Sequence, residues 1–205
     1  MNTKRLKEAE KEFLKMYPGG FGHPEMQKLA KKHQPEKMAA LARESFAKAK
    51  FDDPEEIVAS MIRVVTRSSM VSVFEKPQFR DFAKALDSTG KEKMTLALKQ
   101  FLHGKEAAGF ESLVAILKKR KLAKWPLVTV CPAYYRPKKE VFVKPTTTKG
   151  IISHFEVEGL EYNPTPTYAF YKKYRSLINK MKKEVDPSLS PSNAAFCGFL
   201  MMVTD

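Results

Sequence analysis

The chain's 205 residues include 37 lysines and arginines against 23 aspartates and glutamates, a formal net charge of +14, and 43% of the residues are hydrophobic. That apolar content is enough for a buried core and excludes disorder as the main state, and no apolar run approaches the roughly 18–20 residues that cross a bilayer. No membrane partner is therefore expected; the mixed-charge start from Met1 to Glu8 also lacks the apolar core of a secretory signal, which points to the cytoplasm.

In chain order, Leu6, Ala9, Phe13 and Leu14 recur at helical spacing and predict a helix over 3–16. The run Tyr17-Pro18-Gly19-Gly20-Phe21-Gly22-His23-Pro24 ends it. This run lacks the Lys-Ser/Thr of a phosphate loop and follows a helix instead of a strand, so it reads as a connection. Pro24 and Pro35 suit first helical turns and predict helices to His33 and through Phe51. Asp52-Asp53-Pro54-Glu55-Glu56 is a helix start, with an aspartate cap, a first-turn proline and acidic residues that complement the dipole. The helix it opens is predicted to run to Val73 through the core. Helices over 77–86, 91–102 and 107–121 follow, the second closed by His103-Gly104 and the third basic at its end.

After Trp125-Pro126 the pattern changes. Leu127 to Cys131 and Glu140 to Lys144 are short and rich in β-branched residues, with two prolines and three cations between them, which predicts a β-hairpin. Thr146, Thr147 or Thr148 is expected to cap a short helix through His154, and a longer helix is predicted over 164–185. The apolar end, 193–203, fits helix or strand equally. The expected fold class is mainly α (α+β): a multi-helix bundle over 1–121, and a hairpin-and-helix unit over 122–205 packed on it as one globule. Helix, hairpin, helix is also the element order of a winged helix.

Charge is distributed unevenly along this layout. From Lys118 to Lys183 there are sixteen lysines and arginines against four glutamates, a net +12. A basic field confined to one region points to a polyanionic partner. Lysines and arginines neutralise phosphates while aromatic rings stack on unpaired bases, and here the cations are interleaved with Trp125, Tyr134, Tyr135, Phe142, Tyr168, Tyr171 and Tyr174. The candidate nucleic-acid contacts are Tyr134, Tyr135, Arg136, Lys138 and Lys139 at the hairpin tip, with Lys144 and Lys149 after it. Thr146, Thr147 and Thr148, flanked by those two lysines at a helix start, form a candidate anion site. The same residues also read as a solvated basic face with aromatics turned to the core, and the threonines as caps.

No catalytic, metal or cofactor residues are assigned. His23, His33, His103 and His154 share no metal-ligand spacing, and no Ser-His-Asp, Cys-His or HExxH arrangement is present. Cys131 and Cys197 read as buried reduced thiols.

The stretch from Lys124-Trp125-Pro126, through Phe142-Val143-Lys144-Pro145-Thr146-Thr147-Thr148-Lys149, to Pro191-Ser192-Asn193 and Phe199 to Val203 resembles a segment of a family of uncharacterised bacterial proteins. A similar segment occurs in accessory regions of methylcytosine-directed restriction GTPases. The resemblance covers about 80 residues and brings no catalytic residues with it. The pattern usually has an acidic residue and a tryptophan in its last apolar run, where this chain reads Ser192-Asn193-Ala194-Ala195-Phe196-Cys197-Gly198-Phe199. The resemblance implies a role with nucleic acid or in defence. The function expected from the whole is non-enzymatic binding of a DNA or RNA backbone through the basic C-terminal region. The alternative is a protein–protein adaptor or scaffold, with the charge serving solubility or an acidic protein partner.

Overall fold

The computed structural model describes residues 1–204, and those residues form helices α1 to α11 with no strand among them. The helices are α1 (Thr3–Met16), α2 (Pro24–His33), α3 (Pro35–Ser45), α4 (Pro54–Arg67), α5 (Glu75–Lys84), α6 (Ser88–His103), α7 (Glu106–Lys118), α8 (Trp125–Tyr135), α9 (Pro145–His154), α10 (Tyr168–Met181) and α11 (Asn193–Met202). Local chemistry sets most of the starts. Asp53 accepts the amide of Glu56 at 3.1 Å with Pro54 at the first position, and Asn2, Thr167 and Ser192 cap α1, α10 and α11 in the same way. The end at 193–203 is thus helix. At α9 the cap position is Lys144, without a side-chain bond, and the three threonines lie inside the first turn.

The predicted β-hairpin is absent, and with it the winged-helix likeness. Leu127 to Cys131 lies within α8, whose residues from Trp125 to Tyr134 are all buried. A helix enclosed on every side has no polar face, so it shows no 3.6-residue period and its β-branched run looks like a strand. Pro132 sits inside it and removes the helical bond that the Val128 carbonyl would accept. Glu140 to Lys144 lies between α8 and α9 and pairs with no strand. Its backbone is held by side chains: the Val143 amide donates to Thr129 Oγ1 at 3.1 Å, and Asn193 Nδ2 donates to the Glu140 carbonyl at 3.1 Å.

The N-terminal helices surround α8 from one side. It packs on α3, α4 and α7, while α6 and α7 form a close antiparallel pair. Gly109 makes that pair possible, because a Cβ there would lie 2.1 Å from the Phe101 amide nitrogen. The first helix closes on the other end of the chain: the Asn2 amide donates to the Phe155 carbonyl at 2.7 Å, and Phe13 meets Phe199 edge-on at 5.1 Å. The glycine run joins α1 to α2, as its sequence suggested. Gly20 takes a left-handed φ of 58° there, directly against Ser188. Core residues from α1 to α11 form one continuous apolar cluster.

Candidate nucleic-acid interface

The turn after α8 does not present its aromatics to solvent. Tyr134 is buried and its hydroxyl shares a 3.1 Å hydrogen bond with Ser68; burial pushes that hydroxyl's pKa up. Tyr135 is half-buried between the His103 ring at 5.3 Å and the Arg136 guanidinium at 5.4 Å. Arg136 itself donates to the Leu102 carbonyl, where it satisfies the C-terminal end of α6. Trp125, Phe142, Tyr171 and Tyr174 are likewise core residues, and the Trp125 indole donates to the Asn163 carbonyl at 2.7 Å. Of this set only Tyr135 leaves part of its ring open.

The lysines fare differently. Lys138 and Lys139 are exposed, and the turn that carries them is clamped to the C-terminal half of α10. Asn179 Nδ2 donates to the Lys139 carbonyl at 2.8 Å, and Lys182 Nζ donates to the Lys138 carbonyl and to Asn193 Oδ1, both at 2.6 Å. Beneath them lies a buried network. The carboxylate of Glu140, 3% exposed, accepts from Tyr171 Oη at 2.8 Å and from Arg175, which also binds Glu106. Burial works to lower the Arg175 pKa, but its bonds to Glu106 and Glu140 outweigh that and raise it. These groups fix the turn to α10, and so they decide where its lysines sit.

Around this anchor, Lys172, Lys173, Lys180 and Lys183 are exposed; Lys173 and Lys180, seven residues apart, share one face of α10, and Lys183 follows in the 3-10 turn after it. Among the described residues, no carboxylate lies within 4.0 Å of Lys138, Lys172, Lys173, Lys180, Lys182 or Lys183. Lys4, Arg5, Lys7, Arg63, Lys91 and Lys99 have such partners, whereas Lys11 and Lys15 on α1, like the lysines here, have none among the described residues. The pKa of Lys182 is lowered by burial and then by repulsion from Lys138 and Lys183. Like charges converge at this end of α10.

Lys144 and Lys149 lie apart from that cluster, at the start of α9 and within it, and α9 packs against α11. Lys149 stands over the Tyr162 ring at 5.2 Å. Of the three threonines between them, Thr146 is exposed, while Thr147 and Thr148 are buried, and Thr148 Oγ1 has no hydrogen-bond partner. The three hydroxyls therefore do not converge on a point between the two lysines.

The region's charge is also split along the molecule. Glu106 meets Arg175, and Glu111 accepts the Tyr168 amide at 2.6 Å, so α7 and α10 run antiparallel. At about 1.5 Å per residue, Lys118 and Lys182 then lie roughly 30 Å apart. One basic segment of sequence has become two basic surfaces. The lysines of α10 and of the turn after it are not among the candidate contacts, although the seven-residue spacing of Lys173 and Lys180 shows a common face. The groups that hold the turn carry no sequence signal. Arg175 reaches Glu140 and Glu106 across 35 and 69 residues, and Asn193 reaches Glu140 across 53, with no motif linking them.

Among the described residues, no three histidine, cysteine, aspartate or glutamate side chains are grouped to hold a metal ion, and no helix is long and apolar enough to cross a membrane. No family model, curated protein or solved structure matches the chain.

Proposed function

We propose that the chain binds the phosphate backbone of nucleic acid through the lysines of α10 and the turn locked to it. The observation that carries this reading is the convergence of Lys138, Lys182 and Lys183 without carboxylate partners, beside exposed Lys180, on a scaffold held by Glu140, Arg175 and Asn193. Phosphates placed there relieve the mutual repulsion and release counterions. With its rings packed inward, the surface reads charge and not bases, so the binding is weakly sequence-selective and steeply salt-dependent. The resemblance of residues 124–203 to segments beside restriction GTPases points the same way. The two cysteines are free and buried, which suits a reducing, cytoplasmic setting for this role.

The test is fluorescence polarisation with a labelled duplex of about 20 base pairs at roughly 50 and 200 mM salt. K180E/K183E is expected to weaken binding at least tenfold and to reduce the salt slope by roughly 2. K11E/K15E makes the same charge change on the exposed face of α1 and is expected to leave both nearly unchanged. Absence of binding at low salt, or equal loss in both variants, sinks the proposal.

The adaptor reading has its own observation. A shallow groove between α2 and the end of α11 exposes Leu29 and Met202 between Lys28 and Lys32, a combination suited to an acidic protein segment with an apolar anchor. It gains ground if Leu29→Glu abolishes a purified partner's binding while K180E/K183E has no effect on DNA.

A further inference from the structure

Helix α4 stops at Arg67, short of the Val73 to which its apolar pattern runs. The Ser68 hydroxyl takes the Met70 amide at 3.1 Å and pairs with Tyr134, which turns the chain out of the helix. Val71 then enters the core, but Val73, predicted to lie on the core helix, and Phe74 after it stand 70% and 76% exposed. They are adjacent, and among the described residues they are the most exposed large hydrophobic side chains. The loop beneath them is well tied down. Ser69 Oγ bonds His33 Nδ1 at 2.8 Å, and Ser72 Oγ accepts the Phe74 amide at 3.3 Å. A rigid loop thus holds two apolar side chains out in water.

The surroundings of the tip are basic. From Ile57 to Phe74 the sequence has no acidic residue, and the first one after it, Glu75, is engaged by Lys124 at 3.5 Å. Lys124 brings with it the exposed run Lys118, Lys119, Arg120 and Lys121, itself in a stretch without acids from Ser112 to Lys139. On the other side, the contact between His33 and Ser69 places the last turn of α2, with exposed Lys31 and Lys32, next to the loop. Cations therefore flank the tip on two sides.

We infer that this tip docks on an anionic lipid surface. Val73 and Phe74 enter the boundary between headgroups and acyl chains, and the lysines beside them meet lipid phosphates in the plane above. A branched side chain and a ring projecting together give a base no flat platform, whereas both lose their hydration fully in the lipid interface. Two-sided charge around an apolar point matches a plane of phosphates better than the single furrow of a protein groove. The contact requires no spanning segment, which is why the lengths of the apolar runs did not reveal it. Two side chains and a few lysines make the binding reversible and sensitive to salt.

Phe74→Trp in the full chain gives a local probe, since the native Trp125 is buried and serves as a constant background. The emission of this variant is expected to shift to the blue with vesicles containing about 30% phosphatidylglycerol, and not with pure phosphatidylcholine. V73S/F74S, whose exposed positions leave the fold intact by circular dichroism, is expected to bind the anionic vesicles roughly tenfold more weakly in co-sedimentation. It is expected to bind the DNA duplex as the parent does, which separates this surface from that of α10. The inference is overturned if V73S/F74S binds vesicles like the parent, if the emission of the Phe74→Trp variant moves with duplex DNA and not with vesicles, or if it moves with protein concentration alone.

Discussion

Thr129 and Arg175 show how single buried groups hold this molecule together. The Thr129 hydroxyl donates to the Trp125 carbonyl at 2.7 Å and accepts the Val143 amide, so one side chain supplies the partner that no strand provides. Arg175 lies over the Tyr171 ring at 5.2 Å and its single charge is shared between Glu140 and Glu106. Removing one partner of a buried pair leaves the other charge unpaired, which costs far more than the pair contributed. Arg175→Met is therefore expected to lower stability by about 3–5 kcal/mol in urea titration, and Glu140→Gln in the same chain to restore a large part. No recovery in the double variant would show that the network is not the cause. None of these residues could be singled out in the sequence, since each depends on groups from distant elements.

At the scale of elements, the α6–α7 pair rests on a glycine. A methyl at Gly109 would meet the Phe101 nitrogen, the Ala97 carbonyl at 2.6 Å and the Gln100 carbonyl carbon at 2.7 Å, all of them backbone. Backbone cannot step aside as a side chain can, so Gly109→Ala is expected to destabilise by about 1–3 kcal/mol despite the better helix propensity of alanine. A denaturation midpoint at or above the parent's would refute the close approach. Helices with an apolar stripe or a clear start signal were legible in advance: α1, α2 and the start of α4 lie where, in turn, the spacing of Leu6, Ala9, Phe13 and Leu14, then Pro24, then Asp53-Pro54 suggest. Helix α8 was not, because burial on all sides removes the stripe. The apolar pattern also overshoots the end of α4, because Ser68 pairs there with Tyr134, 66 residues away.

At the scale of the whole molecule, the burial of ionisable groups sets its response to base. Burial pushes the Cys131 and Cys197 thiols from 9.0 up to about 12, and raises Tyr171 and Tyr174 as well. A group whose folded pKa lies above its unfolded one contributes stability that is complete below the unfolded value and fades as pH rises toward the folded value. Stability is accordingly expected to hold at about pH 7 to 8 and to fall from about pH 9 upward. Urea midpoints under reductant at about pH 7.5, 9 and 10.5 check this, and a constant midpoint would contradict it. In the same folded state both thiols are expected to resist a thiol reagent at about pH 8 until the chain unfolds.

The sequence by itself determined that the chain is mainly helical, where most helices begin, and that its positive charge gathers between Lys118 and Lys183, because capping, periodicity and composition are local properties. Only the tertiary structure decided that Tyr134 belongs to the core and Tyr135 is half-buried against it, that the turn lysines join those at the end of α10, and that Val73 and Phe74 face water. The antiparallel packing of α7 and α10 then separated one basic segment into two surfaces. Convergence of side chains is a relation between elements, and only their packing creates it.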